Sequence, residues 1–149
     1  MEKERTCIRR LGLDDYDALL ALWTRAGLHS IRPQGRDSRT AIARQLASGV
    51  EMLLGLEAEG RLVGAVMVTH DSRKGWINRL AVDPDYRRRG YGKRLVKAGE
   101  RELQEQGISI IAALVVSGND ASLSLLRHVG YAEIDPGMHY LTKRTSDAA

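Results

Sequence analysis

Three arginines and two glycines follow one another at residues 87–92 (RRRGYG), between segments that predict a strand and a helix. The strand is expected to end at Asp83 and Pro84, because proline cannot donate to a sheet ladder. The N-terminus of a helix offers unpaired N–H groups and the positive end of its dipole, which favour phosphate. Gly90 and Gly92 allow close backbone approach, and the arginines attract anions. This segment therefore predicts a phosphate-binding loop.

Two common phosphate-binding patterns do not fit this loop. Arg87 occupies the place of the first glycine of a Walker motif, and Leu95 replaces the third glycine of a dinucleotide-binding motif. A solvated basic turn is the simplest alternative, but the strand, turn, glycines and helix all agree with a binding loop. Nucleic acid is disfavoured as a partner, because Tyr91 is the only aromatic residue within the run and the net charge is only +4.

Hydrophobic periodicity predicts the elements that position the loop, in the order β-α-α-β-β-β-α-β-α-β-β. Strands are expected at residues 5–11, 51–58, 61–70, 76–82, 108–116, 131–134 and 138–143. Helices are expected from Asp14 to Gly27, from Asp37 or Ser38 to Gly49, over 90–106, and from Asn119 or Asp120 to Val129. The pattern predicts an α/β domain over residues 1–144, with one mixed, mostly antiparallel sheet flanked by helices, and a flexible tail at 145–149.

Composition excludes several classes of protein. Cys7 is the only cysteine, so neither an intrachain disulfide nor a cysteine-based zinc site can form. The four histidines have no metal-site spacing, and no metal is expected. Four of the first five residues are charged, so the apolar run of a signal peptide is missing, and no stretch approaches 18 apolar residues. We therefore expect a cytoplasmic protein that does not span a membrane.

Two segments resemble the GCN5-related N-acetyltransferase (GNAT) superfamily. They are residues 80–92 (LAVDPDYRRRGYG), and Asn119-Asp120-Ala121 followed by Val129-Gly130-Tyr131. The resemblance covers nearly the whole chain, including the order of its elements. It implies a sheet whose two central strands splay apart, acetyl-CoA as cosubstrate, an amine as acceptor, and a homodimer.

The same resemblance implies how the cofactor binds. The pyrophosphate would meet the N–H groups of residues 88–93, and the pantetheine arm would pair with the backbone of residues 80–82. Asn119 would approach the far end of the pantetheine. The cofactor-binding residues implied are Leu80, Ala81, Val82, Arg87, Arg88, Arg89, Gly90, Tyr91, Gly92, Lys93 and Asn119. The acceptor would enter from the opposite side, near the first two helices.

The catalytic pattern of the family is incomplete in this sequence. Leu126 stands where many members carry a general-acid tyrosine, and Leu114 stands where some carry a glutamate. Asn78, His70 and Tyr140 remain as catalytic candidates. Asn78 is expected on the central strand beside the cleft, His70 at a strand end, and Tyr140 on the last strand. Ordinary structural roles in the strands are the alternative for all three.

The sequence thus predicts an acetyl-CoA-dependent N-acetyltransferase acting on an amine of a small molecule or peptide. A non-catalytic acyl-CoA-binding module is the alternative, because Leu114 and Leu126 are inert. Arg32 and Arg36 lie in a polar loop that would help to shape the acceptor pocket, where they would bind an acidic group or remain solvated. Glu51 is interpreted as a surface residue at the start of a strand.

Overall fold

A computed structural model describes residues 3–134, 137–147 and 149 of the chain. Its strands are β1 (Thr6–Arg10), β2 (Glu51–Ala58), β3 (Arg61–His70), β4 (Gly75–Val82) and β5 (Ile111–Ala113). Its helices are α1 (Tyr16–Arg25), α2 (Arg39–Ala47), α3 (Tyr91–Glu105) and α4 (Asp120–His128). Short 3-10 turns at Leu13–Asp15 and Pro84–Tyr86 precede α1 and follow β4.

The five strands form one mixed sheet in sequence order, β1 to β5. The first four strands are antiparallel neighbours, whereas β5 runs parallel to β4. A parallel pair needs a crossover, and α3 supplies it. The predicted α/β class and the mostly antiparallel sheet are confirmed.

The sheet separates two hydrophobic cores. One core, packed against α3, includes Leu54, Val66 and Leu95. The other, packed against α1 and α2, includes Trp23 and Met67. Because β2 and β3 are covered on both faces, their middle residues are buried without alternation.

Helix α3 lies unusually close to the sheet, because it carries a glycine where it crosses β3. A Cβ atom at Gly99 would lie 2.7 Å from Val68 Cγ1 and 3.1 Å from Ile77 Cδ1. These contacts are tighter than side chains tolerate, so Gly99 sets the spacing between helix and sheet. The close packing fixes α3 and, with it, the position of the loop that precedes the helix.

Strand β4 contains an irregularity beside the centre of the sheet. Ala65 and Met67 on β3 pair with Ala81 and Asn78 on β4, so β4 carries one extra residue in this interval. Arg79 has a φ of 48° there, which is a left-handed conformation. A bulge of this kind bends the strand and redirects its side chains.

Three sequence predictions about strands are corrected by the structure. Strand β5 spans only Ile111–Ala113, shorter than the predicted 108–116, because the chain leaves β4 after residue 113. The predicted strands at 131–134 and 138–143 are absent from the described residues 131–134 and 137–143. The apolar side chains of Ile134, Met138 and Leu141 are exposed there. These segments have no neighbouring strand to pair with among the described residues.

No helix within the described residues is long and apolar enough to cross a membrane.

Candidate active site

A deep cleft opens where β4 and β5 separate. The two strands pair only from Gly75 to Ile77, and β4 then continues alone to Val82. The expected splay between the central strands is therefore present. The cleft has a volume of about 1450 Å³ and runs from the loop before α3 to the polar side chains near α1 and α2.

The backbone at one end of the cleft has the geometry of an anion site. Arg88 and Gly90 have φ values of 63° and 78°, and α3 begins at Tyr91. Left-handed residues that alternate with ordinary ones direct successive N–H groups toward one point. Residues 88–93 therefore combine a backbone nest with the positive end of the α3 dipole.

Gly92 lines this end of the cleft close to side chains of β4 and α4. A Cβ atom there would lie 3.0 Å from Leu125 Cδ2 and 3.9 Å from both Leu80 Cδ2 and Val82 Cγ2. A side chain at position 92 would project into the space between β4 and α4. The glycine therefore keeps the cleft open beside the N-terminus of α3.

The side chains of the three arginines in the loop make different contacts. Arg87 donates to the carbonyl oxygens of Val82 and Ala26, each at 3.3 Å, and so ties the loop to α1. Arg89 forms an ion pair with Glu4 at 2.9 Å. Among the described residues, only Arg88 of the three makes no side-chain hydrogen bond to the protein. The prediction that Arg87, Arg88 and Arg89 bind the cofactor stays a prediction, and Arg88 has the side chain that is free of hydrogen bonds to the described residues.

Tyr91 is buried and its hydroxyl donates to Glu4. That hydrogen bond lowers the pKa of Glu4, and the ion pair with Arg89 acts in the same direction. The N-terminal segment therefore braces the loop through Glu4. Tyr91 offers the cleft mainly its backbone N–H.

The side chain of Asn119 is engaged within its own helix. Its Oδ1 accepts a hydrogen bond from Ser122 N at 3.2 Å, which caps α4. Asn119 also lines the cleft, on the side opposite β4. It positions α4 against the cleft, and its Nδ2 has no hydrogen-bond partner among the described residues.

Because Arg88 and Arg89 make different contacts, we expect their alanine variants to differ in affinity for CoA. We expect Arg88→Ala to weaken CoA binding about tenfold, because one charge-assisted contact to phosphate is lost. Arg89→Ala should weaken binding less, about twofold, because Arg89 is already paired with Glu4. Calorimetric titration of both variants with CoA measures the difference. Equal losses would show that the Glu4 pair does not hold Arg89 away from the cofactor.

A row of polar side chains crosses three strands at the other end of the cleft. Glu51 on β2 pairs in register with Thr69 on β3, and Asn78 Nδ2 donates to Thr69 Oγ1 at 3.2 Å. All three line the cleft. With neighbouring strands about 4.8 Å apart, the row spans roughly 10 Å from Glu51 to the start of the splay at Asn78. This placement agrees with the prediction that Asn78 faces the cleft.

Glu51 is half-buried and electrostatically perturbed. Burial raises the pKa of its carboxyl group, and the nearby Arg79 only partly opposes this shift. A carboxyl group with a raised pKa is a stronger base once it is ionised. The sequence interpretation of Glu51 as a surface residue is wrong. No local pattern marks its burial, because β2 is buried on both faces without alternation.

Asp37 is the second carboxylate that lines the cleft, and its oxygen atoms accept hydrogen bonds from other parts of the protein. Asp37 is 2% exposed and accepts two hydrogen bonds from Arg79, one of them at 3.0 Å. It also accepts from the backbone N–H of Arg32 at 2.7 Å. The Arg79 guanidinium stacks over Trp23, 5.0 Å from the ring centroid. This cluster ties the loop between α1 and α2 to the bulge in β4.

Two catalytic candidates from the sequence lie away from the cleft. His70 Nε2 contacts Gln106 Oε1 at 2.8 Å, near the C-terminal end of α3. Tyr140 is 74% exposed and belongs to no strand. Neither residue lines the cleft. Leu114 and Leu126 do line it, so the positions usually held by an acid or base present apolar side chains.

The sheet, its splay and the anion-binding loop together define a transferase of the acyl-CoA-dependent class. The model of the Acetyltransferase (GNAT) family matches residues 16–131. An acetyltransferase of Pectobacterium atrosepticum is 33% identical over 128 residues, which are 86% of this chain and 89% of that protein. One of Sodalis glossinidius is also 33% identical, over 92% of this chain and 94% of its own length.

Solved structures share the fold at lower identity. The PaiA N-acetyltransferase of Thermoplasma acidophilum, in complex with coenzyme A, has a TM-score of 0.75 at 22% identity. It matches 88% of this chain and 92% of its own. The aminoglycoside N-acetyltransferase AAC(6')-Iy in complex with CoA has a TM-score of 0.78 at 17% identity, over 96% and 98% of the two chains.

The chain belongs to the acetyltransferase (GNAT) family. It is an acetyl-CoA-dependent N-acetyltransferase, as its sequence predicts.

Proposed function

We propose that the chain binds acetyl-CoA in the cleft between β4 and β5 and transfers the acetyl group to a primary amine of a small molecule or peptide. The amine enters from the side of α1 and α2. The observation that carries this proposal is the continuity of the cleft, which joins the backbone nest at residues 88–93 to the polar row of Glu51, Thr69 and Asn78. Cofactor and acceptor would therefore meet at the splay.

The cofactor is placed by the backbone. Its pyrophosphate accepts from the N–H groups of residues 88–93, with Arg88 and Lys93 adding charge. The pantetheine arm lies beside Leu80, Ala81 and Val82, along the part of β4 that has no partner in β5. An arm in that position pairs with the strand as an added strand would. Asn119 lies on the opposite wall of the cleft.

The reaction needs a neutral amine and a stabilised oxyanion. Glu51 accepts a proton from the acceptor's ammonium group, directly or through one water molecule. The amine nitrogen then attacks the thioester carbonyl and forms a C–N bond. It gives its second proton to water as the C–S bond breaks. A backbone N–H of Leu80 or Val82 stabilises the oxyanion. The thiolate takes a proton from solvent, because Leu114 and Leu126 offer none.

Asn78 is a positioning residue in this proposal. Its hydrogen bond to Thr69 holds it at the start of the splay, between Glu51 and the thioester. His70 and Tyr140 have no role in the proposed chemistry, because neither lines the cleft.

The function is tested by incubating the purified chain with acetyl-CoA and a broad panel of amines and peptides. We expect thiol release above background with at least one acceptor, together with an acetylated product in the mass spectrum. Saturable CoA binding without turnover across the panel would instead support a non-catalytic acyl-CoA-binding module. Absence of CoA binding would contradict both functions.

We also propose a cytoplasmic homodimer. The apolar side chain of Ile110, beside β5, is exposed in the single chain and would be covered by a second copy. A single cysteine suits a reducing compartment. Sedimentation equilibrium should give twice the 16.5 kDa chain mass, and a single-chain mass would contradict the dimer. Recovery of the protein outside the cytoplasmic fraction of cells would contradict the location.

A further inference from the structure

We infer that the acceptor carries a carboxylate as well as its amine, and that Arg36 binds this carboxylate at the far end of the cleft. The inference rests on the proposed function and narrows it to a substrate class. Arg36 belongs to the loop between α1 and α2 and lines the same cleft as Glu51. An amino acid has the required pair of groups. A short peptide, in which the amine and the carboxylate lie close together, also has them.

The guanidinium of Arg36 is only partly satisfied by the protein. One terminal nitrogen, Nη2, donates to the carbonyl oxygen of Ser30 at 2.9 Å. Nε is buried and has no hydrogen-bond partner among the described residues. Buried polar atoms in native proteins are rarely left without partners. Because Nε is buried, a ligand would bind the terminal nitrogens, and Nη1 makes no hydrogen bond among the described residues.

The nearest carboxylate forms only a long ion pair with Arg36. Asp37 Oδ2 lies 3.8 Å from Arg36 Nε, beyond hydrogen-bond distance. The carboxylate of Asp37 is instead taken up by Arg79 and by the backbone N–H of Arg32. The buried carboxylate of Asp37 thus lies near two guanidinium groups, those of Arg36 and Arg79. It accepts hydrogen bonds only from the guanidinium group of Arg79.

The electrostatic environment of Arg36 favours an added anion. Burial lowers its pKa, and the charge of Arg79 lowers it further, while Asp37 opposes the change. Arg144 and Arg32 also act against the charge of Arg36. A cation held in such a setting is stabilised by an anionic ligand, and a guanidinium matches a carboxylate in shape.

Two protein side chains of opposite charge would bind the two ends of the acceptor. Glu51 lies on β2 and faces the ammonium group, whereas Arg36 faces the carboxylate. Gln45 Nε2 donates to the carbonyl oxygen of Arg36 at 2.8 Å, so α2 holds the Arg36 backbone in place. A fixed cation and a fixed carboxylate at one end of a cleft are complementary to a zwitterion.

Paired ligands test the inference without requiring turnover. The full chain, saturated with CoA, is titrated calorimetrically with amines that differ only in their acid group: glycine and glycinamide, β-alanine and its amide, and glycylglycine and its amide. We expect at least one acid to bind at least about tenfold more tightly than its amide. Arg36→Gln should abolish this preference and Arg36→Lys should restore part of it. Arg32→Gln should keep it, because its guanidinium bonds only loop carbonyls.

The possible outcomes distinguish an error in the substrate class from an error in the proposed function. If CoA binds but no acid exceeds its amide, the substrate class is wrong and the proposed function stands. If Arg36→Gln retains the preference while its melting temperature matches the parent, Arg36 is not the anchor and the inference fails. If CoA does not bind at all, the proposed function fails first, and the inference fails with it.

Discussion

Gly92→Glu is expected to lower the affinity for CoA by at least about a hundredfold. The new side chain would start 3.0 Å from Leu125 Cδ2 and extend into the cleft between β4 and α4. Its carboxylate would also occupy the anion nest and repel the pyrophosphate. Calorimetric titration with CoA measures the effect.

The folded state should tolerate this change, which makes the result interpretable. A negative charge in the first turn of α3 is favourable for the helix dipole. Gln104→Glu, at an exposed position near the other end of α3, is the control for added charge and should bind CoA normally. If Gly92→Glu binds CoA within threefold of the parent, the cofactor does not lie at the N-terminus of α3.

Glu51→Gln is expected to lower kcat by about a hundredfold to a thousandfold, because a general base contributes on that order. The affinity for CoA should not change. In the parent, activity should rise with pH as Glu51 loses its proton, and burial places that rise above the usual range of a glutamate pKa. The variant should lack this acidic limb. The pH dependence of kcat, measured with any acceptor that turns over, checks both effects.

A second glutamate on the same strand provides a matched control. Glu57 lies near the other end of β2, where it pairs with Arg9 at 2.8 Å. Glu57→Gln should leave kcat and the acidic limb unchanged. An unaltered pH profile in Glu51→Gln would assign the proton transfer to another group, such as the exposed His29, which also lines the cleft.

The cofactor half of the site could be predicted from sequence because its determinants are local. A strand that ends at Asp83 and Pro84, two glycines and a helix start all lie within eleven residues. The proposed binding uses backbone N–H groups, which do not depend on distant partners. The individual roles of Arg87 and Arg89 could not be predicted, because their partners Ala26 and Glu4 are remote in sequence.

The acceptor half depends on contacts between distant segments. Glu51 joins the polar row only through the sheet, in register with Thr69, which accepts a hydrogen bond from Asn78 on β4. Asp37 meets Arg79 only because a bulge turns β4 at that residue. Neither of these contacts produces a periodic pattern in the sequence.

The predicted strands after residue 130 show the opposite error. Apolar and aromatic residues indicate that a segment is able to form a strand, but composition does not supply a partner strand. In the structure, Met138, Tyr140 and Leu141 are exposed. The expectation that Tyr140 borders the acceptor depended on that strand.

Amide hydrogen exchange with and without saturating CoA tests the central claim most directly. We predict slower exchange at residues 88–93, whose N–H groups would bind the pyrophosphate, and at residues 80–82, which would pair with the pantetheine arm. Exchange at β1 and at the exposed face of α2 should stay the same. Protection elsewhere, with residues 80–82 and 88–93 unchanged while CoA is bound, would contradict the placement of the cofactor in this cleft.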